Sequence, residues 1–363
     1  MSERDAPQPR RSPLRASGTA PVDPRRQFDV ARLEEWLSRH VPGYRGPLEV
    51  REFRGGQSNP TYELTSPSGR LVLRRKPPGA LLASAHAVER EHRVIAALHP
   101  TGFPVPRPYG LCEDPQQIGT AFFVMQHVEG RVIWDLDLPG FGSGERRALY
   151  DSLIATLARL HCIDPAAVGL SDFGRPGNYF TRQLARWTQQ YRASQTREVP
   201  EVERLLEWLP AHLPADDSMS IVHGDFSLNN LILHPSEPRV LAVIDWELST
   251  LGHPIADLTY HLAVRSGPQS GIGELSDGAL RERGIPTDAE LIADYCARTG
   301  RDGIPDLPFY LAFHCFRSAA IMQGIAGRVR DGTAKGVGAS ELGDLVAPLA
   351  RRGLEHAALL AGS

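Results

Sequence analysis

Residues 221–233 read IVHGDFSLNNLIL, with a histidine, an aspartate and two asparagines between two apolar segments of strand length. Gly-Asp and Asn-Asn pairs are common in surface turns, so a plain turn is one interpretation. The other is a catalytic loop that holds a base and a metal ligand at fixed spacing. His223, Asp225 and Asn230 form the pattern H-x-D-x-x-x-x-N, and Asp245 follows 15 residues after Asn230.

The segment between Asn230 and Asp245 predicts a β-hairpin with its turn at residues 235–238. Because a hairpin returns the chain to its start, we expect these two side chains to offer their oxygens to one hard cation. Mg²⁺ fits such a site, since it takes few protein oxygens and completes its shell with water and phosphate. Asp225 would then accept the proton of a hydroxyl that attacks a γ-phosphoryl group, and His223 would hold the loop backbone.

Three segments, VHGDFSLNNLIL, VIDWE and GHPIADLTYHL, together resemble the catalytic and metal-binding loops of the aminoglycoside phosphotransferase family. Members of this family are small-molecule kinases with a protein-kinase-like fold. The resemblance runs from about residue 28 to the C-terminus and is closest to phosphotransferase-like domains fused to acyl-CoA dehydrogenases. It implies ATP and Mg²⁺ as cofactors. The roles that it implies are catalytic base for Asp225, metal ligand for Asn230 and Asp245, brace of the loop for Asp257, and none for Asn229.

The segment FRGGQSNPTYEL falls where the family places its nucleotide loop, although it is not a G-x-G-x-x-G motif and a hairpin turn is the alternative. Glycines let the backbone approach phosphate, and short polar side chains add donors. The residues expected at the nucleotide are Gly55, Gly56, Ser58 and Asn59, then Arg74 with its helix partner Glu91, and the main chain of Gln126 and Val128. The family usually has Lys where Arg74 stands; the guanidinium is longer and forked, and the neighbouring Arg75 and Lys76 leave this position open.

Hydrophobic patterning indicates two lobes behind a polar tail. The first 27 of the 363 residues are rich in Pro, Arg and Ser, which predicts a disordered tail over residues 1–27. Residues 28–126 combine helices with alternating strands and predict a small, nucleotide-binding N-lobe built on an antiparallel sheet. Residues 127–363 are mostly helical in pattern and predict a larger C-lobe with the catalytic loop and the acceptor site. The expected fold class is therefore α+β, a protein-kinase-like two-lobe fold.

Composition excludes several classes of protein. A formal net charge of −3 and a pI near 6.5 argue against a nucleic-acid binder, which needs an excess of Lys and Arg. No apolar run approaches the roughly 18 residues of a membrane span. The four cysteines are widely spaced, which indicates buried thiols in a reducing compartment and a cytoplasmic protein, although an even number of cysteines also allows a disulfide. The oligomeric state is not predicted by any of these patterns.

Two arginine-bearing segments bear on the acceptor. Aminoglycosides are polycations whose pocket needs carboxylates, but residues 173–197 and 308–330 contain no acid. Their arginines are Arg175, Arg182, Arg186, Arg192, Arg197, Arg317, Arg328 and Arg330. Solvated helix faces are one explanation. An anionic acceptor is the other, and the relatives linked to acyl-CoA dehydrogenases imply a hydroxyacyl-CoA.

The resulting prediction is an ATP- and Mg²⁺-dependent kinase of a small, anionic hydroxyl compound. The alternatives are a nucleotide-binding pseudokinase without turnover, an antibiotic kinase, and a metal-dependent phosphoesterase. The last normally needs clustered histidines or a bridging carboxylate, and His223 has no H-x-H neighbour. His161 and His253 are expected to be structural, although relatives commonly carry Asp in place of His253.

Overall fold

The computed structural model describes residues 18–54, 59–79, 87–265, 267, 270–273, 275–332 and 341–361, which form a mixed α+β chain. Its strands are β1 (Thr19–Ala20), β2 (Glu49–Phe53), β3 (Thr61–Ser66), β4 (Gly69–Arg75), β5 (Pro108–Cys112), β6 (Phe122–Gln126), β7 (Ser220–Val222), β8 (Leu231–Leu233), β9 (Val240–Val243) and β10 (Thr250–Gly252). Its α-helices are α1 (Val30–His40), α2 (Val88–Leu98), α3 (Pro115–Ile118), α4 (Ser143–His161), α5 (Tyr179–Ser194), α6 (Pro200–Ala211), α7 (Ile255–Arg265), α8 (Asp277–Glu282), α9 (Asp288–Thr299), α10 (Leu307–Arg330) and α11 (Val346–Ala361).

The chain divides into two compact units. One contains residues 1–88 and 109–125, and the other contains residues 89–108 and 126–363. Residues 89–108, expected in the N-lobe, therefore group with the second unit. A contact of α2 accounts for this, because Arg90 donates a 2.7 Å hydrogen bond to Phe173 O and lies 4.3 Å from the Phe173 ring centroid.

The first unit is built on a six-stranded sheet with the order β1-β2-β3-β4-β6-β5, in which β1 to β4 pair antiparallel. Helix α1 packs its apolar stripe into the core of this unit: Leu33 and Leu37 are fully buried, and Trp36 meets Phe122 edge to face at 5.0 Å. Val30, at the start of the same stripe, stays 36% exposed. The antiparallel sheet expected over these residues is confirmed.

The disordered tail expected over residues 1–27 does not hold for residues 18–27. Thr19 and Ala20 form β1 against Phe53 and Glu52 of β2. Arg26 pairs with Glu52 at 2.5 Å, and Tyr62 OH donates to Arg26 O at 3.3 Å. Backbone hydrogen bonds to β2 order this segment. Because it carries almost no apolar side chains, hydrophobic patterning does not predict the strand. Residues 1–17 lie outside the described residues.

The second unit is mainly helical. Helix α10 lies at its centre and packs against α5, α6, α7 and α11. Phe309, Phe313 and Phe316 of α10 are each at most 2% exposed. Two short antiparallel ladders, β7 with β10 and β8 with β9, complete this unit. The polar loop of residues 223–230 connects β7 to β8.

The remaining structural findings concern membrane-spanning helices and the four cysteines. Within the described residues, no helix combines the length and the apolar character that a membrane crossing requires. The four thiols are free; Cys112, Cys296 and Cys315 are buried, whereas Cys162 is exposed and departs from the expectation.

Candidate active site

The polar loop is anchored by strands at both ends. Strand β7 ends at Val222 and pairs with β10, and the loop passes through a 3₁₀ turn, Leu228–Asn230, into β8. Strands β8 and β9 form the expected hairpin, and Ile244 N donates to Asn230 O at 2.9 Å. Asp245 is the next residue, so the hairpin brings Asn230 and Asp245 together as the sequence predicts.

Asp225 is half-buried at this loop and is held by two neighbours. Asn230 Nδ2 donates to Asp225 O at 2.8 Å and to Asp225 Oδ2 at 2.9 Å. The Tyr260 hydroxyl donates to the same carboxylate from α7. Burial raises the pKa of Asp225 above its ordinary value, and the bond from Tyr260 and the charge of Arg317 oppose this rise. A fixed carboxylate of raised pKa is a competent proton acceptor.

The nitrogen and the oxygen of the Asn230 side-chain amide have different hydrogen-bond partners. Its Nδ2 donates to Asp225, which leaves Oδ1 as the only atom that could bind a cation. Asn229 Nδ2 donates to that Oδ1 at 3.2 Å, and Ser227 Oγ donates to Asn229 Oδ1 at 2.9 Å. Asn229, for which the resemblance implied no role, therefore positions the amide oxygen of Asn230. Adjacent Asn-Asn side chains were the signal that could have revealed it.

Asp245 adopts a left-handed backbone conformation with φ 65° and ψ 60°. Such a conformation is uncommon outside glycine and often marks a functional position. In the part of the chain that the structure describes, His, Cys, Asp and Glu side chains nowhere gather in groups of three or more that could hold a metal. One amide oxygen and one carboxylate suit Mg²⁺, which retains water and phosphate ligands.

His223 supports the backbone, as the sequence predicts. Its Nδ1 accepts from Asp225 N at 3.2 Å, so the ring proton sits on Nε2, which donates to Ile244 O at 3.0 Å. The ring also packs 4.7 Å from that of Trp246. A single imidazole thus joins the loop that carries Asp225 to the strand that precedes Asp245.

Asp257 of α7 braces the same loop from below. Its Oδ2 accepts from His223 N at 2.6 Å and its Oδ1 from Gly224 N at 2.8 Å. His161 Nε2 lies 3.3 Å from Oδ2, and the other ring nitrogen lies 2.7 Å from Tyr295 OH. Although burial alone would raise the pKa of Asp257, the bond to His161 and the backbone donors leave it below its ordinary value. His161 is thus structural, as expected, but through a contact with the brace that sequence could not predict.

Arg317 of α10 reaches the loop from the other side. Its Nη2 donates to Gly224 O at 2.8 Å. Its guanidinium carbon lies 5.3 Å from the ring centroid of Trp187 and 4.6 Å from that of Tyr260. The sequence named Arg317 only as one member of an arginine-rich segment, without a link to the catalytic loop.

Other arginines of those segments are engaged elsewhere. Arg192 pairs with Glu203 of α6, and Arg330 pairs with Asp331 at 2.8 Å. Arg182 donates to the carbonyls of residues 175–177. A segment without acidic residues of its own can therefore still have an acidic neighbour in the fold. Glu203, on the neighbouring helix α6, is such a neighbour of Arg192.

The residues expected at the nucleotide are placed unevenly. Gly55, Gly56 and Ser58 lie outside the described residues, while Asn59 and Glu91 are each 1% exposed. Consecutive strand residues point to opposite faces, and the two candidate arginines of β4 follow this rule. Arg75 stacks on Phe28 at 5.1 Å, whereas Arg74 lies 3.5 Å from Thr61 Oγ1. The packing of Arg75 leaves Arg74 as the better candidate.

The linker residues have one backbone group already in use. Gln126 N donates to Arg107 O at 2.8 Å, and Arg107 N donates to Gln126 Oε1 at 3.3 Å. Adenine recognition at this position would therefore fall to the carbonyl of Gln126, with the main chain of Val128 as the second expected contact.

His253 is a packed residue, as expected. Its ring is 1% exposed, stacks on Tyr310 with centroids 5.2 Å apart, and contacts Phe180. Burial lowers the pKa of His253 to about 4, although Asp216 lies 3.3 Å away and acts in the opposite direction. The imidazole is neutral at pH 7 and has no part in the loop.

Gly224→Ala should destabilise the protein by more than an unfavourable backbone conformation alone. Gly224 has φ +84°, and a Cβ there would lie 2.7 Å from Leu248 O, a backbone atom that cannot rotate away. The left-handed conformation itself costs a side chain about 1–2 kcal/mol. Gly119→Ala is the matched control, because Gly119 has φ +91° with nothing within 4 Å of its Cβ position. Urea unfolding of both variants measures the difference; equal losses would show that the Leu248 contact is harmless.

The sequence of this chain matches the phosphotransferase enzyme family over residues 49–309. The chain belongs to that family. Acyl-CoA dehydrogenase family member 11 of Rattus norvegicus is 42% identical over 345 residues, which cover 93% of this chain and 44% of that protein. The chain thus spans less than half the length of this curated relative.

Solved structures agree with the family assignment. A protein of Ralstonia eutropha JMP134 described as an aminoglycoside phosphotransferase is 48% identical, with a TM-score of 0.83 over 91% of this chain and 98% of its own. Spectinomycin phosphotransferase APH(9)-Ia, solved with ADP and spectinomycin, is 12% identical and has a TM-score of 0.60 over 90% of this chain and 98% of its own, a likeness of fold alone. The expected protein-kinase-like α+β fold, the family and the kinship with acyl-CoA dehydrogenase family proteins are confirmed.

Proposed function

We propose that the protein is an ATP- and Mg²⁺-dependent phosphotransferase that moves the γ-phosphoryl group to a hydroxyl of a small anionic molecule. The observation that carries this proposal is the 2.9 Å hydrogen bond from Asn230 Nδ2 to Asp225 Oδ2, at the start of a hairpin that returns the backbone to Ile244, the residue before Asp245. A base, an amide oxygen and a second carboxylate are the groups that phosphoryl transfer to an alcohol requires. Family membership supports the same class of reaction.

Asp225 acts as the base in this reaction. Its carboxylate accepts the proton of the acceptor hydroxyl while the hydroxyl oxygen forms a bond to the γ-phosphorus. The bond between that phosphorus and the bridging oxygen breaks, and ADP leaves with the electron pair. Asn230 and Tyr260 hold the carboxylate in place, so the proton acceptor is oriented before the acceptor molecule arrives.

The nucleotide and the metal are assigned to separate groups of residues. Arg74 binds the phosphates, and the carbonyl of Gln126 with the main chain of Val128 binds adenine. Asn230 Oδ1 and Asp245 hold Mg²⁺, which neutralises phosphate charge when bound. The ADP in the structure of spectinomycin phosphotransferase APH(9)-Ia supports nucleotide use by this fold.

The acceptor is assigned as anionic, and a hydroxyacyl-CoA is the leading candidate. The name of the rat relative, acyl-CoA dehydrogenase family member 11, supports acyl-CoA chemistry near this domain. Buried Arg317 beside the loop, and no carboxylate within ion-pair distance of it among the described residues, also favour an anion over a polycationic antibiotic. We place this activity in the cytoplasm, in keeping with four free thiols.

A pseudokinase without turnover is the second candidate. Arg74 in place of the usual lysine is the observation that favours it. Against it stand the paired Asp225 and Asn230, the left-handed Asp245 and the doubly bonded brace Asp257, because a chain released from catalysis has no need to retain strain.

Formation of ADP from ATP tests the proposal. The protein is incubated with Mg²⁺ and a panel of acceptors that contains hydroxyacyl-CoAs, sugars, choline-like alcohols and aminoglycosides. We expect turnover with an anionic acceptor and its loss when EDTA replaces Mg²⁺. Efficient use of aminoglycosides would refute the anionic acceptor, and nucleotide binding without turnover on any acceptor would favour the pseudokinase.

A further inference from the structure

Arg317 is a buried cation whose hydrogen bond, among the described residues, goes to a backbone carbonyl and not to a carboxylate. Its side chain belongs to a residue only 8% exposed, and within the described part of the chain no carboxylate lies within 4 Å of its guanidinium. Of its three nitrogens, only Nη2 has a hydrogen-bond acceptor among the described residues, and Nε is buried without one. Burying a charge with unfilled donors is unfavourable. Packing of α10 alone does not account for a residue of this kind.

Two aromatic rings lie beside this guanidinium. Trp187 of α5 lies 5.3 Å from it and Tyr260 of α7 lies 4.6 Å from it. Contact with ring faces leaves the edge of the guanidinium, where its N–H groups point, for hydrogen bonding. A guanidinium held in this way presents a prearranged fork to a carboxylate or a carbonyl.

Arg317 lies next to the loop that carries Asp225, the proposed base. Its Nη2 is bonded to the carbonyl of Gly224, the residue before Asp225, and Tyr260 bonds to the Asp225 carboxylate itself. Tyr260 therefore touches both the cation and the base. An acceptor oxygen bound by Arg317 would lie only a few bonds from the hydroxyl that Asp225 deprotonates.

We propose that Arg317 is the specificity-determining residue of the acceptor site, whose free edge binds a carboxylate or carbonyl oxygen close to the reacting hydroxyl. This inference rests on the proposed function. It distinguishes two parts of a hydroxyacyl-CoA, the neutral thioester carbonyl of the acyl end and the phosphates that carry the negative charge. The phosphates of CoA lie beyond the pantetheine arm, so Arg317 reads the acyl end of the molecule and not its nucleotide end.

Two substitutions test this role. Arg317→Met keeps an extended apolar chain between Trp187 and Tyr260, and Arg317→Lys keeps the charge without the fork. Arg351→Met is the matched control, because Arg351 lies on α11, is 61% exposed and pairs with Glu201. The acceptors are straight-chain hydroxyhexanoates that differ in hydroxyl position, their coenzyme A thioesters and the matching hexanediols. ADP formation is measured with each acceptor and without acceptor, where water receives the phosphoryl group, and thermal unfolding confirms that each variant folds.

We expect Arg317→Met to raise KM at least about tenfold for acids and thioesters, since a charge-assisted hydrogen bond contributes about 1.5–3 kcal/mol. The ratio of kcat/KM for acids and thioesters to kcat/KM for diols should also fall at least about tenfold. A loss that comes from the Gly224 carbonyl is shared by every acceptor, so it cancels in this ratio. Arg317→Lys should fall between the wild type and Arg317→Met, and Arg351→Met should match the wild type.

Equal losses with acids, diols and water would overturn the inference, because they would make Arg317 a support of the Gly224 carbonyl. Unchanged KM for acids and thioesters would overturn it too, as would a wild-type preference for diols or cationic sugars. Failure of the proposed function is recognised separately, in the wild type alone: it binds ATP but forms no ADP with any acceptor, and the inference then falls with it.

Discussion

Asp225→Asn should lower acceptor-dependent ADP formation by about 10²–10⁴-fold, the range that removal of a general base produces. The amide oxygen can still accept from Asn230, so the loop geometry is retained while the proton acceptor is lost. Because burial disfavours the charged form of Asp225, removing the charge should leave the free energy of unfolding unchanged or slightly higher. Steady-state ADP release and urea unfolding measure the two effects.

The control for this variant is Asp151→Asn. Asp151 lies on α4, is 58% exposed and pairs with Arg298, so its variant should match the wild type in both measurements. Binding of a non-hydrolysable ATP analogue should be unchanged in Asp225→Asn, because the nucleotide is assigned to other residues. A variant that retains more than about a tenth of wild-type turnover would contradict the role of Asp225 as base.

Asp257→Ala should lower the free energy of unfolding by about 3–5 kcal/mol, the usual cost of removing one partner from a buried charged network. The buried backbone N–H groups of His223 and Gly224 would both lose their acceptor, and so would His161 Nε2. Each unsatisfied buried donor costs about 1–3 kcal/mol. Turnover should fall as well, because these two amides fix the backbone that carries Asp225.

Asp172→Ala is the matched control for the brace. Asp172 also pairs with a cation, Arg93, but its side chain is 77% exposed, so no measurable change in stability is expected. Chemical denaturation of both variants with the wild type gives the comparison. A loss below about 1 kcal/mol in Asp257→Ala would mean that water reaches the His223 and Gly224 amides and replaces the carboxylate.

Local patterns carried most of what the sequence could predict. Short apolar runs on either side of a turn predicted the β8–β9 hairpin. That hairpin in turn predicted that Asn230 and Asp245 lie together, since two paired strands return the chain to its start. These features depend on residues that are close in the sequence, and such residues produce the periodic hydrophobic patterns from which helices and strands are predicted.

What remained hidden depends on partners far away along the chain. Arg317 meets Gly224 O across 93 positions, and His161 meets Asp257 across 96. The pairing of Thr19 and Ala20 with β2 uses backbone groups, which every residue has and no pattern marks. Likewise, Arg192 looked unpaired because its acid, Glu203, belongs to another helix.

The division of labour between helices bears on how such a protein changes over evolutionary time. The base and its brace belong to the loop and to α7, whereas Arg317 and Trp187 belong to α10 and α5. Under the proposed role of Arg317, substitutions on α10 and α5 would change which molecules are accepted while Asp225 and its brace Asp257 stay in the chain.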